Sequence, residues 1–286
     1  MLRRIARGLR RHLMALFGLD VVVDLKAVAV HRELDRLRAL PANNRPGSLV
    51  PHGAKVYSQN DEDGIIAEIF ERIGVSHHVF VEIGVEAGLQ NNTLVLLMQG
   101  WRGTWFEGRA AYVKRIERGF PAAVASGQLQ AVQAMVTPQN VDELMTAARV
   151  PAEIDLLSID IDGHDLDVME ALTVVQPRVV VMEYNAKYPP PMHYRLGERP
   201  GWWNRDDAFG ASLSAIEASL SARGYALVGC NVTGCNAFFV RADLVGDAFQ
   251  QPFDAPTHFQ PARQHLANFP QGHPPSYAAL ETRRLE

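Results

Sequence analysis

The sequence has few cysteines, no long apolar run and no excess of positive charge. Cys230 and Cys235 are the only cysteines among 286 residues, too few for a secreted scaffold built on disulfides. No stretch approaches the roughly 20 consecutive apolar residues that a membrane-spanning helix needs. The 28 Lys and Arg residues are outnumbered by 32 Asp and Glu residues, which disfavours nucleic acid as the main partner. These absences predict a cytoplasmic globular protein.

The three-glycine fingerprint of dinucleotide-binding folds is also missing. The glycine-containing loop after the first apolar strand runs instead from Glu82 through Gly84 to Gly88. The Glu82 carboxylate would suit an ammonium group, which a methionyl tail has and a pyrophosphate lacks, and Glu86 would repel a phosphate. We expect the glycines to let the backbone approach a ligand. The loop therefore favours S-adenosylmethionine over a nicotinamide dinucleotide.

The first 18 residues contain arginines and leucines at helical spacing, which predicts a basic amphipathic helix. Two interpretations remain open: reversible docking on the anionic inner membrane surface, or packing against the body of the protein or a second subunit in a homo-oligomer. Residues 41–47 have the composition of a linker. We expect a helical extension and linker over residues 1–50, a main domain over 51–245 and an irregular Pro-rich tail over 246–286.

From residue 57 onward, strands alternate with helices. The run 179–182, Val-Val-Val-Met, is typical of a central parallel strand covered on both faces. The segments 226–230 and 237–240 flank good turn residues and predict an antiparallel hairpin. The predicted strands are residues 79–83, 103–106, 130–134, 156–160, 178–183, 226–230 and 237–240. A parallel α/β sheet ending in one hairpin is typical of the methyltransferase variant of the Rossmann fold, whereas nicotinamide-binding domains are usually parallel throughout.

Carboxylates stand at the ends of successive predicted strands. Glu107 has about the spacing at which an acidic residue grips ribose hydroxyls. Asp160, Glu183 and Asn185 offer the oxygen ligands that Mg²⁺ prefers and could hold a metal that orients a substrate hydroxyl. His164 is a candidate general base, since imidazole titrates near neutral pH. The structural alternative is a tight turn at residues 162–163 followed by a helix cap at Asp165.

Several motifs in order resemble the FkbM-like branch of class I methyltransferases. They are residues 57–64 (Tyr-Ser-Gln-Asn-Asp-Glu-Asp-Gly), the loop 82–88, Asn92-Thr93, residues 100–103 (Gly-Trp-Arg-Gly), residues 157–163 (Leu-Ser-Ile-Asp-Ile-Asp-Gly) and Glu183-Tyr184-Asn185. The resemblance covers about residues 57–240. It implies a Rossmann-like fold with a mostly parallel seven-stranded sheet, S-adenosylmethionine as cofactor, and O-methylation of a sugar, glycan or natural-product hydroxyl.

The resemblance also implies which residues bind the cofactor. Glu82, Gly84 and Gly88 would line its methionine and ribose, with Asn92 and Thr93 beside them, and Glu107 would hold the ribose diol. Asp160 would lie near the reacting methyl group. The adenine would be bordered by Gln133, Ala134 and Met135. The middle glycine often seen in this loop is replaced here by Glu86.

An aromatic insertion follows the strand that ends at Glu183, and we expect it to cover the acceptor. Arg195 within it could reach a phosphate or carboxylate of that acceptor. The alternative is a loop whose aromatic residues pack on one another. The candidate acceptor-binding aromatic residues are Tyr184, Tyr188, Tyr194, Trp202 and Trp203.

Two other classes of function remain open at this stage. A non-catalytic protein could keep the fold as an interaction module, and a nicotinamide-dependent oxidoreductase could use a related fold. A binding titration with each cofactor separates them.

Overall fold

Seven strands form one sheet in the computed structural model, which describes residues 19–197, 206–266 and 283–284. The strands are β1 (Val79–Ile83), β2 (Arg102–Glu107), β3 (Leu129–Gln133), β4 (Glu153–Ile159), β5 (Gln176–Glu183), β7 (Tyr225–Cys230) and β8 (Asn236–Arg241). Two further short strands, β6 (Arg195–Leu196) and β9 (Arg283–Arg284), pair with each other in a separate ribbon.

The sheet order is β3-β2-β1-β4-β5-β8-β7. β1 to β5 pair in parallel, whereas β8 is antiparallel to β5 and to β7. This order confirms the predicted Rossmann-like methyltransferase topology with its terminal antiparallel hairpin. The chain changes direction across the sheet between β1 and β4, and in open α/β sheets ligands bind at the carboxyl ends of the strands beside such a switch point.

Helices connect the strands. They are α1 (Leu19–Arg38), α2 (Glu62–Ile73), α3 (Leu94–Met98), α4 (Ala110–Gly119), α5 (Pro121–Ala125), α6 (Val141–Ala147), α7 (Asp165–Ala171), α8 (Leu213–Ala222), α9 (Ala242–Val245) and α10 (Ala255–His258). α4 and α5 lie in a stretch that the sequence pattern left unassigned. Among the residues of α4, Val113 and Ile116 are buried, so the helix packs on the sheet through a narrow apolar face.

The two faces of the sheet support two apolar cores. Along β5, Val180 and Met182 pack into one core while Val179 and Val181 pack into the other. All four side chains are fully buried, because successive residues of a strand point to opposite faces. The continuous apolar run in the sequence therefore fits a strand that is covered by helices on both faces.

The segments on either side of the predicted main domain also pack against it. α1 contributes Leu37 to a small core with Val232 and Leu266. Phe249 is buried in one of the two large cores, and the Tyr184 hydroxyl donates to the backbone carbonyl of Gln260 at 2.6 Å. In the described part of the chain, no helix combines the length and apolarity needed to cross a membrane. The basic residues 1–18 lie outside the described residues, so their predicted membrane or body contact stays a prediction.

Candidate active site at the strand ends

The loop after β1 is organised by the Glu82 carboxylate. This buried carboxylate accepts hydrogen bonds from Asn91 Nδ2 at 2.7 Å, from the backbone nitrogens of Asn92 and Thr93 at 2.8 and 3.1 Å, and from the Thr93 hydroxyl. Burial raises the pKa of Glu82, and these hydrogen bonds oppose that shift. Glu82 therefore shapes the loop, and the same contacts occupy both of its oxygens.

Gly84 and Gly88 adopt the left-handed backbone conformation, with φ of +88° and +69°. A Cβ on Gly84 would lie 1.7 Å from the backbone oxygen of Asp160, and one on Gly88 would lie 2.6 Å from the Trp105 ring. Glycine is needed here because the loop packs closely on its own neighbouring strands. The fold alone therefore requires glycine at both positions, and the predicted approach of a ligand to this loop stays a prediction.

Glu107 ends β2 directly beside this loop. Its carboxylate accepts from the backbone nitrogens of Glu86 and Arg109, both at 2.8 Å, and burial raises its pKa. The loop and the end of β2 are thus fixed to each other. Three further predicted cofactor residues follow at the end of β3, where the Ala134 nitrogen donates to the Glu107 carbonyl at 3.1 Å and Met135 is 45% exposed. They are Gln133, Ala134 and Met135.

An acidic cluster lies at the ends of β4 and β5. Asp160, Asp162 and Glu183 each offer an oxygen, and these oxygens all lie within 4.8 Å of one another. Burial raises the pKa of Asp160 well above its ordinary value, and the carboxylates of Glu183 and Asp162 raise it further. Burial also raises the pKa of Glu183, with Asp162 as the next cause. Three half-buried carboxyl groups, of which Asp160 and Glu183 resist ionisation, form a site suited to a cation.

Asn185, the third predicted metal ligand, makes its described side-chain hydrogen bonds to the insertion. Its side chain is fully buried, and its Nδ2 donates to the carbonyls of Asp207 and Phe209 at 3.0 and 3.1 Å. The residue therefore anchors the returning end of the insertion. Of the three predicted metal ligands, the structure brings Asp160 and Glu183 together, with Asp162 as a third carboxylate, and the role of Asn185 as a ligand stays a prediction.

The segment between β4 and α7 closes on the Asp165 carboxylate, which accepts from the backbone nitrogens of Ile161 and Gly163 at 2.8 and 2.9 Å. His164 precedes α7 and is about one third exposed. Its Nδ1 lies 2.7 Å from the Asp167 carboxylate. A small pocket beside the ring is lined by residues of this segment and of the insertion, including Gly163, Arg195, Leu196 and Gly210.

Residues 72–227, more than half of the chain, match the model of a protein family described as the methyltransferase FkbM domain. The chain belongs to this family. The match begins within α2 and ends in β7, so it includes the loop after β1, Glu107 and the acidic cluster. No curated protein sequence matches the chain significantly.

Three solved structures are similar to this FkbM domain at low sequence identity. Magnesium protoporphyrin IX methyltransferase from Synechocystis PCC 6803 with bound SAM is 11% identical over 63% of this chain and 77% of its own, with a TM-score of 0.43. The N-terminal domain of EvdMO1 with SAH bound is 15% identical over 74% and 96%, with a TM-score of 0.43. A SAM-dependent methyltransferase from Aquifex aeolicus is 9% identical over 62% and 89%, with a TM-score of 0.35. The fold assignment rests on the strand order and the family match.

In the described part of this FkbM domain's insertion, the aromatic residues pack largely on themselves. Tyr184 is buried with its hydroxyl bonded to the backbone, so it lies in the core. The rings of Tyr188 and Tyr194 stack at 3.9 Å with an interplanar angle of 4°, and Tyr194 is 2% exposed. Arg195 pairs with two carboxylates of α7. Trp202 and Trp203 lie outside the described residues, so their acceptor contact stays a prediction.

The sequence interpretation missed two groups at the site. Asp162 entered the sequence interpretation only through the alternative of a tight turn; it adopts a φ of +53°, and its carboxylate lies with those of Asp160 and Glu183. Asp167 was not singled out, although its position three residues after His164 places it on the same face of a helix. That spacing was the available signal.

Proposed function

We propose that this FkbM domain is an S-adenosylmethionine-dependent O-methyltransferase acting on a hydroxyl group of a sugar, glycan or natural product. The observation that carries the proposal is the convergence of Glu107 and the acidic cluster at the switch point of the sheet. Ligands of open α/β folds bind at this edge. A cofactor with both a ribose diol and a positive charge matches these two acidic features.

The chemistry of the rim residues fits that cofactor. Glu107 would hold the ribose hydroxyls, and the residues after β3 would border the adenine. The buried Asn91 Oδ1 has no hydrogen-bond partner among the described residues, which leaves an acceptor for an ammonium group beside Glu82. The acidic cluster, whose ionised form is disfavoured by burial, would be stabilised by a nearby sulfonium. Glu82, Gly84, Gly88, Asn92 and Thr93 would hold the loop in shape.

Adenosylmethionine supplies a methyl group already activated by its sulfonium. The residues of the protein then have two tasks, which are to align the acceptor hydroxyl and to remove its proton. We assign proton removal to the His164 imidazole. Asp160 would orient the hydroxyl, directly or through a metal.

A divalent cation is compatible with the donor set of the acidic cluster. Three carboxylate oxygens within 4.8 Å of one another are hard ligands of the kind that Mg²⁺ takes. Asp160, Asp162 and Glu183 would hold it, with Asp162 replacing Asn185 in the proposed ligand set. A metal requirement predicts that a chelator abolishes methyl transfer and that added Mg²⁺ restores it.

The test is a methyl-transfer screen against nucleotide sugars, glycans and small natural-product alcohols, with and without Mg²⁺. In an active reaction we expect His164→Ala to lower kcat by about a hundredfold or more, the typical contribution of a positioned acid or base. Asp160→Asn should also depress turnover, and His164→Ala should bind the cofactor nearly as well as the wild type. His31→Ala, an exposed histidine of α1, is the matched control. Wild-type turnover in both site variants would contradict the catalytic assignment.

A further inference from the structure

A network of charged side chains leads from His164 into the insertion and α8. His164 Nδ1 lies 2.7 Å from Asp167 Oδ2. The other Asp167 oxygen accepts from Arg195 at 2.8 Å. Arg195 also donates to Glu170 at 2.6 Å, and the second Glu170 oxygen accepts from the Ser219 hydroxyl at 2.6 Å.

We propose that Asp167 is a positioning residue for His164 and that Arg195 holds Asp167 in place for this task. The proposal deepens the function proposed above and rests on His164 acting as the base. Asp167 would accept the Nδ1 proton of the neutral imidazole. The Nε2 nitrogen would then carry the free lone pair that receives the proton of the acceptor hydroxyl.

The geometry distinguishes this role from helix capping. Asp167 lies in the first turn of α7, where a carboxylate commonly accepts from backbone N–H groups. The two hydrogen bonds described for its carboxylate go instead to the side chains of His164 and Arg195. The two oxygens of one carboxylate are thus divided between an imidazole and a guanidinium, an arrangement that fixes which ring nitrogen is protonated.

The charge state of Asp167 supports the same role. Burial would raise its pKa, but the hydrogen bond from His164 and the charge of Arg195 lower the pKa below the ordinary value. The carboxylate therefore stays ionised through neutral pH and remains a hydrogen-bond acceptor. A protonated carboxyl group or an Asn amide at position 167 could instead donate a hydrogen bond to Nδ1. It would then stabilise the tautomer that carries its proton on Nε2.

Arg195 connects this pair to the acceptor side. It belongs to β6, within the insertion, whereas Asp167 and Glu170 lie on successive turns of α7. The guanidinium bridges the two carboxylates. The position of the insertion therefore affects the orientation of the imidazole, because Arg195 contacts the same Asp167 carboxylate that contacts His164. Because these two carboxylates already pair with its guanidinium, we give Arg195 this positioning role in place of the predicted contact with an anionic group of the acceptor.

The direct test is the tautomer of His164, read from ring-nitrogen chemical shifts in full-length protein labelled at histidine. A His164→Gln spectrum assigns the resonances among the ten histidines. We expect the neutral wild-type ring to carry its proton on Nδ1, and Asp167→Asn to shift the population towards Nε2–H. A wild-type ring protonated on Nε2 would overturn the proposal without any variant.

Kinetics provide the second readout. Asp167→Asn should lower kcat by about ten- to a hundredfold, the range found for groups that orient a functional histidine, with the KM for the cofactor unchanged. Arg195→Gln should have a smaller effect in the same direction. Arg241→Gln is the matched control, since Arg241 also pairs with two carboxylates, those of Glu153 and Asp243, at the amino end of β4 and so at the opposite edge of the sheet from the site.

The role of His164 as the base and the positioning role of Asp167 can be disproved separately. If His164→Ala keeps wild-type turnover, His164 is not the base, whatever its tautomer. If His164→Ala is inactive but Asp167→Asn keeps both the wild-type tautomer and the wild-type kcat, the base stands and the positioning role of Asp167 is wrong. If Asp167→Asn lowers kcat and Tm together without changing the tautomer, its role is structural and the proposal is also wrong.

Discussion

At the scale of single residues, the carboxylates of the site fall into two kinds, those that accept hydrogen bonds from their own loops and those that face other carboxylates. Glu82 and Glu107 are surrounded by hydrogen-bond donors from their own loops. Asp160 and Glu183 face other carboxylates, and each raises the cost of ionising the cluster. Carboxylates of the first kind hold the loops in shape, whereas the clustered carboxylates are the ones that we propose to face a cation.

Replacing one of the clustered carboxylates by a neutral side chain should stabilise the folded protein. Because the folded-state pKa of Asp160 is raised, its stabilising contribution is complete below the unfolded pKa and is lost as the pH rises through the folded pKa. Asp160→Asn should therefore raise the Tm of the ligand-free protein by a few degrees at pH 8, and this gain should shrink towards pH 4. Thermal unfolding across that pH range measures it, and a lower Tm at pH 8 would contradict the argument.

Asp155, on the strand β4 that ends just before Asp160, is the matched control, because its substitution should change stability in the opposite direction. It is fully buried and pairs with Arg178 at 2.7 Å. Burial alone would raise its pKa, but hydrogen bonds from Ser76 and Arg178 lower it, so its stabilising contribution is present above the unfolded pKa and is lost as the pH falls through the folded value. Asp155→Asn should cost about 3–5 kcal/mol at neutral pH, as expected for a broken buried pair.

At the scale of elements, the motif at residues 57–64 joins the start of α2 to the turn between β7 and β8 through its acidic side chains. Glu62 is fully buried and accepts from the side-chain amides of Asn60, Asn231 and Asn236 at 3.0, 2.8 and 2.8 Å. Asp63 accepts from three successive backbone nitrogens, those of residues 56–58. The motif is therefore structural, and it fixes the hairpin turn that borders Glu183.

Removing the Glu62 carboxylate should be costly, because three buried amide groups would lose their acceptor. We expect Glu62→Ala to reduce the free energy of unfolding by about 2–4 kcal/mol, measured by urea denaturation. Glu71→Ala, an exposed residue of the same helix, should change it by less than about 0.5 kcal/mol. Equal effects of the two substitutions would show that the hydrogen-bonded cluster contributes little.

At the scale of the whole molecule, the sheet was predictable from sequence because each strand has a local signature. A continuous apolar run marked β5, and turn residues marked the β7–β8 hairpin. β6 and β9 were missed because two-residue strands 88 positions apart leave no local pattern. The membership of the acidic cluster was predicted only in part. Beyond Glu183 the chain leaves the sheet, and the backbone nitrogen of Asn185 donates to the Ala211 carbonyl of the insertion, a contact between distant segments that leaves no local pattern.

The central claim is that the carboxyl ends of the strands bind S-adenosylmethionine, and calorimetric titration of the ligand-free protein tests it most directly. We expect one site per chain with a Kd in the micromolar range, about −8 kcal/mol. Binding should be much weaker in Glu107→Ala, unchanged in the control Glu71→Ala, and undetectable with a nicotinamide dinucleotide. A folded wild-type protein that binds no adenosylmethionine, or that binds it equally well without the Glu107 carboxylate, would contradict the account.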